Sequence, residues 1–209
     1  MSALVKTCGL SRPEDIAVAN ELRPDYVGFV FWPKSHRYVT PETAEDLRAR
    51  LDDRIPAVGV FVDAPVEAVA AMLKRGTIQV AQLHGHEDDD YITALRQMAS
   101  APVWKAFRVR EEKDILRADD SSADLILLDN GYGTGETFDW SLLEGVHRPY
   151  ILAGGLCSGN VETALRTLHP FGVDVSSGIE TDGQKDKEKM RAFLIACTRR
   201  KTDRGSCYG

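Results

Sequence analysis

Six polar residues of this 209-residue chain stand at the ends of short apolar runs, where reactive groups can be presented by a strand. Cys8 closes "LVKTC", Arg37 follows "YVGFVF", His84 follows "VAQL", and Asp129 closes "LILLD", while Ser176 and Ser177 follow "GVDV". Strand alternation puts Lys6 and Cys8 on one face. A cation there favours thiolate over thiol, whose ordinary pKa is about 8.5, so Cys8 suits a base or nucleophile. An inert buried cysteine fits the position equally well. Asp129 ends four apolar residues, and a desolvated charge is costly unless paired or used. A partly buried carboxyl with a raised pKa makes a good general acid; a turn aspartate introducing "NGYG" is the plain alternative. Glycine pairs recur late in the chain, in "AGGL" with Gly154 and Gly155 and in "SSG" with Ser177 and Gly178. Glycines let backbone N–H groups approach an anion, which makes these two turns a candidate phosphate site.

"HGH" (His84 to His86) invites a zinc reading, but no third ligand is evident, and the acids of "EDDD" suit a helix start. The expectation is no metal. "NGYGTG" (130–135) follows the wrong strand for a dinucleotide fingerprint and is expected to be a mobile loop over the site.

Eight β-rich runs position these groups. They start near residues 4, 26, 57, 79, 103, 125, 150 and 172, about 22 to 31 residues apart. Many are continuously apolar, as strands buried on both faces of a parallel sheet are. The intervals read as helices. "SRPED" offers Ser11 as N-cap with Glu14 three residues on, and "TPETAEDL" offers Thr40 with a proline at the first helical position. "FDWSLLEG" is the shortest interval, with room for one or two turns. Eight β-then-α units without a composition break predict one α/β domain, a single (β/α)8 TIM barrel over residues 1–209, with a frayed tail from about 199. An open doubly wound sheet would carry its glycine-rich turn after the first strand. In a barrel, the polar residues at the C-terminal strand ends form the site.

A net charge of −6 and a pI near 5.4 argue against nucleic acid or an anionic membrane as partner. No apolar segment approaches the roughly 18 residues a bilayer requires. No signal peptide is evident at the N-terminus, and the four cysteines, Cys8, Cys157, Cys197 and Cys207, form no C-x-x-C pair. They read as free thiols of a cytoplasmic protein.

Taken in order, "KTCGL", "YVGFVFWPKSHRYV", "VGVFV", "VAQLHG", "LILLD", "GTGETFDW", "ILAGGLCSGNV" and "GVDVSSGIE" followed by "KD" resemble the phosphoribosylanthranilate isomerases over residues 4 to about 195. The resemblance implies an Amadori rearrangement of N-(5′-phosphoribosyl)anthranilate in tryptophan biosynthesis. It implies Cys8 as general base, Asp129 as general acid and Arg37 facing the anthranilate carboxylate. Gly154, Gly155, Ser177 and Gly178 would hold the phosphate. His84 and Asp174 match substrate-binding or active-site positions. No metal or redox cofactor is called for; the partner is the phosphosugar–anthranilate substrate, and the unit is a monomer or homodimer. Two loops depart from the pattern: "SHR" lacks a proline before the arginine, and "ETDGQKD" lacks one before its glycine. A histidine-pathway isomerase barrel would carry aspartate in place of Cys8.

Overall fold

The computed structural model describes residues 3–129 and 140–198. Eight parallel strands close into a barrel in sequence order: β1 (Leu4–Cys8), β2 (Tyr26–Val30), β3 (Ala57–Phe61), β4 (Val80–Leu83), β5 (Val103–Arg108), β6 (Leu125–Asp129), β7 (Tyr150–Leu152) and β8 (Gly172–Val175). Pairing of Leu4–Thr7 with Gly172–Val175 closes it.

The continuous apolar runs are explained by this closure, because each strand is buried on both faces. Inward, Val58, Val80, Trp104, Ala106, Leu125, Leu127, Ile151 and Ala153 pack together, and Tyr26 meets Trp104 edge-on at 4.9 Å. Outward, the alternate residues, such as Val27, Phe29, Ala57, Ala81 and Leu83, pack beneath the surrounding helices. Lys6 and Cys8 share their strand face with the inward layer, as do Gln82, Asp129 and Asp174 with theirs. The barrel interior is therefore apolar in its middle and polar at the C-terminal mouth.

The helices are α1 (Pro13–Leu22), α2 (Pro41–Arg50), α3 (Val66–Arg75), α4 (Asp89–Met98), α5 (Glu112–Asp119), α6 (Val161–Leu168) and α7 (Lys187–Thr198). The interval after β6 holds a short 3-10 helix, Trp140–Gly145, in keeping with its length. Thr40 caps α2, its hydroxyl accepting from the Thr43 N–H at 3.2 Å. Ser11 does not cap α1. Pro13 opens the helix, and the residue before a proline is held extended, so Arg12 takes the cap position with φ −128°. The buried Asp15 carboxylate accepts from the Ser11 and Arg12 N–H groups at 3.0 and 3.1 Å. Asp88 caps α4, accepting from Tyr91 N at 3.0 Å, and Asp89 and Asp90 fill its first turn.

After β8, a 3-10 turn (Ser177–Ile179) leads into a small hairpin, β9 (Glu180–Thr181) and β10 (Gln184–Lys185). Its two-residue turn, Asp182-Gly183, has φ +52° and +76°, the left-handed geometry that suits a tight hairpin. Proline cannot adopt that φ, which accounts for its absence from this turn. The "NGYGTG" segment, the Cys207 thiol and the tail from residue 199 lie outside the described residues. Among the described residues, no helix is long and apolar enough to cross a membrane.

Candidate active site at the C-terminal mouth of the barrel

Cys8 is 6% exposed and faces inward at the top of β1. Room for its thiol comes from β2, where Gly28 is its register partner. A Cβ on Gly28 would lie 2.6 Å from the Cys8 Sγ. Beneath it, Lys6 is 1% exposed and donates to Asp174 Oδ1 at 3.0 Å across the β1–β8 seam. Burial opposes the Lys6 charge, but its pairing with Asp174 first, and then its contact with Cys8, more than offset it, and its pKa stands above the ordinary lysine value.

The expectation of a thiolate-favouring cysteine is corrected in its net direction. Lys6 does favour the thiolate, but burial acts more strongly and Asp174 acts with it, so the Cys8 pKa lies above that of a free thiol. A neutral thiol is the resting form. Removing a proton from it yields a stronger base than an ordinary thiolate.

Asp129 ends β6 with a side chain 15% exposed, facing the His84 Nε2 at 3.5 Å from its Oδ2. His84 follows β4, and its Nδ1 is 3.2 Å from Gln82 Nε2. Arg108 is the register partner of Asp129 on β5. His86 turns the other way, exposed and 3.0 Å from Asp63, so the two histidines of "HGH" do not converge. Glu87, buried, ties the turn down: it accepts from Asp63 N, Gly85 N and the Lys105 ammonium at 2.7, 2.8 and 3.1 Å.

Arg37 meets Glu180 in a two-bond fork, Nε to Oε1 at 2.6 Å and Nη2 to Oε2 at 2.7 Å. Glu180 also takes Lys185 Nζ at 2.5 Å, and these two side chains are 7% and 2% exposed. Burial would raise the Glu180 pKa, yet the two cations hold it below the usual carboxylate value. Burial wins at Lys185 and draws its pKa down. Lys185 also donates to Ser176 O and Oγ at 3.0 and 3.2 Å, and Ser176 Oγ donates to the Cys8 carbonyl at 3.1 Å. One chain of contacts thus runs from Arg37 through the hairpin to the β8 turn and back to β1. Gly9, with φ +79°, lets Arg37 pass: a Cβ there would lie 2.4 Å from its Cδ.

The two glycine turns are adjacent. Gly154 and Gly155 have φ +85° and +64°, a left-handed pair that side chains disfavour. Asn160 shapes this turn, donating to Gly155 O at 2.9 Å and accepting from Cys157 N at 2.8 Å. A Cβ on Gly178 would sit 1.9 Å from Leu156 O, so the β7 and β8 turns are packed backbone against backbone.

All nine candidate residues, Cys8, Arg37, His84, Asp129, Gly154, Gly155, Asp174, Ser177 and Gly178, lie on the C-terminal side of the barrel, at or just beyond its strand ends. Gln82, Gly28, Glu180, Lys185 and Asn160 were not singled out in the sequence. Glu180 and Lys185 sit within the "SSGIE" and "KD" motifs but reveal their roles only once the hairpin folds.

The chain matches the family described as N-(5'phosphoribosyl)anthranilate (PRA) isomerase over residues 5–196. It is 46% identical over 197 residues to the N-(5'-phosphoribosyl)anthranilate isomerase of Thermoanaerobacter sp. (strain X514), covering 91% of this chain and 95% of that protein. It is 43% identical over 200 residues to that of Clostridium acetobutylicum, covering 91% and 96%. The crystal structure of phosphoribosyl anthranilate isomerase from Thermotoga maritima superposes with a TM-score of 0.84 at 36% identity, covering 93% of this chain and 98% of that one. A phosphoribosyl anthranilate isomerase in complex with reduced 1-(o-carboxyphenylamino)-1-deoxyribulose 5-phosphate superposes with a TM-score of 0.81 at 35% identity, with the same coverage. A (β/α)8 barrel with these motifs at its mouth and relatives of this identity over nearly its whole length belongs to the N-(5'-phosphoribosyl)anthranilate isomerase family.

Proposed function

We propose that this chain converts N-(5′-phosphoribosyl)anthranilate into 1-(2-carboxyphenylamino)-1-deoxyribulose 5-phosphate, the aldose–ketose (Amadori) isomerisation of tryptophan biosynthesis, with Cys8 as base and Asp129 as acid. The observation that carries the assignment of roles is the placing of both side chains inward at one end of the barrel, on β1 and β6.

The chemistry runs in three steps. Asp129 gives a proton to the ribose ring oxygen, the C1–O bond breaks, and the nitrogen lone pair forms an iminium. The iminium acidifies the C2 hydrogen, which the Cys8 thiolate removes to leave an enolamine. Proton return at C1 and loss of the enol proton give the C2 ketone. The raised Cys8 pKa makes the thiolate scarce but strongly basic, and Lys6 keeps it accessible.

The substrate's two anionic ends need separate partners. Gly154, Gly155, Ser177 and Gly178 are the proposed phosphate site, where left-handed glycines let backbone donors approach the anion. Arg37 is the proposed carboxylate reader: Glu180 holds its Nε and Nη2 edge, and Nη1 has no hydrogen-bond partner among the described residues. His84 and Asp174 complete the proposed substrate-binding set. The proposed unit is a monomer or a homodimer, and the free thiols Cys8, Cys157 and Cys197 suit a cytoplasmic setting. The test is loss of anthranilate fluorescence from freshly made phosphoribosylanthranilate, compared with Cys8→Ala and Asp129→Asn.

A further inference from the structure

We propose that Gln82 is a positioning residue: it fixes His84 as the neutral Nε2–H tautomer and so keeps the imidazole from taking the proton of Asp129. The proposal rests on the reading of Asp129 as the acid.

Gln82 stands on β4 beside Val60 of β3, on the same strand face as Val80, and is 1% exposed. An amide in such apolar company is costly to bury unless its groups are hydrogen-bonded. Only half of it is satisfied. Its Nε2 lies 3.2 Å from His84 Nδ1, whereas its Oε1 is buried without a hydrogen-bond partner among the described residues. Packing alone would favour a leucine or methionine there, so the amide's contribution is the bond to His84.

That bond has a direction. An amide nitrogen only donates, so Nδ1 must accept, and a neutral imidazole then carries its proton on Nε2. Nε2 is the atom facing Asp129 Oδ2, at 3.5 Å. Catalytic contacts of this length in a free enzyme close when substrate binds. His84 thus presents a donor to Asp129 and no lone pair. A protonated Asp129 therefore finds no acceptor on that ring. Once the proton has left, the Nε2–H stabilises the carboxylate. The opposite amide orientation would turn Oε1 to His84 and leave both amide N–H groups unpaired, where among the described residues one N–H and the oxygen are unpaired now. Buried orphan donors are rarer than orphan acceptors.

The experiment is two-dimensional ¹H–¹⁵N spectroscopy of the imidazole rings in the full chain, with His84 assigned by loss of its signals in His84→Asn. Wild type is expected to show an unprotonated Nδ1 and a protonated Nε2. Gln82→Glu puts a carboxylate opposite Nδ1 and is expected to move the proton there, with kcat falling roughly tenfold or more and KM changing much less. Where a buried glutamate prevents folding, Gln82→Met serves: it removes the donor at similar length, and a mixture of tautomers is expected. An Nδ1–H tautomer or an imidazolium in the wild type overturns the proposal, as does a tautomer change in Gln82→Glu at unchanged kcat. Full kcat in Asp129→Asn would count instead against the acid reading, while the spectra still decide the His84 tautomer.

Discussion

Gly28 faces Cys8 across the β1–β2 pair so closely that a Cβ on the glycine would stand 2.6 Å from the thiol sulfur and 3.1 Å from the Cys8 Cα. The glycine is a fitted gap for the proposed base. Gly28→Ala should push the thiol off its position while the barrel still closes. Steady-state kinetics should show kcat falling well beyond any change in KM, since small displacements of a catalytic group cost far more than they do in binding. An unchanged kcat would mean that the thiol position is not critical.

The Cys8 thiol should titrate above an ordinary cysteine. The sign follows from the partners: burial and Asp174 raise its pKa, and Lys6 and Lys185 lower it by less. Iodoacetamide labelling of Cys8, read by peptide mass, should therefore rise with pH through a midpoint above about 8.5. Lys6→Met removes the main cation and should move the midpoint further up. Because this breaks a buried ion pair, it should also lower stability by about 3–5 kcal/mol. A midpoint below that of free cysteine would contradict the balance described here.

Arg37 and Glu180 offer a separation of charge from geometry. Arg37→Lys keeps the cation but loses the fork, and the KM for phosphoribosylanthranilate should rise while inorganic phosphate binds as before. Glu180→Gln should loosen the same guanidinium and act in the same direction more mildly. Equal weakening of phosphate binding by Arg37→Lys would move Arg37 to the other end of the substrate.

A methyl group at Gly178 would meet the Leu156 carbonyl oxygen, in the protein's own backbone. Gly178→Ala should separate the β7 and β8 turns and weaken sulfate binding in calorimetry. The unfolding midpoint should also fall, by the roughly 1–3 kcal/mol that overpacking costs. Intact stability together with lost sulfate binding would mean that the glycine serves the anion alone.

The barrel was legible because its eight strands are buried on both faces and repeat at near-constant spacing, a pattern that survives without any knowledge of contacts. The places of Cys8 and Asp129 at inward strand ends were legible from strand alternation, while their proposed roles came from the family resemblance, since an inert cysteine and a turn aspartate fit the same positions. What stayed hidden depends on contacts distant in sequence. Glu180 reaches Arg37 across 143 residues, and Lys6 reaches Asp174 across 168. The sign of the Cys8 shift needed the depth of burial, which strand alternation does not supply. Gln82 passed for an ordinary polar residue in "VAQL" until its amide was seen beside His84. The α1 cap was misplaced by one residue because the conformational restraint of Pro13 outweighed the serine's preference for capping.

The most direct test of the account is the turnover of phosphoribosylanthranilate by wild type, Cys8→Ala and Asp129→Asn, each checked for folding by circular dichroism. Wild type should consume the fluorescent substrate, and both variants should lose roughly 10²-fold or more in kcat with far smaller changes in KM. No turnover by the wild type, or either variant keeping near wild-type kcat, would contradict it.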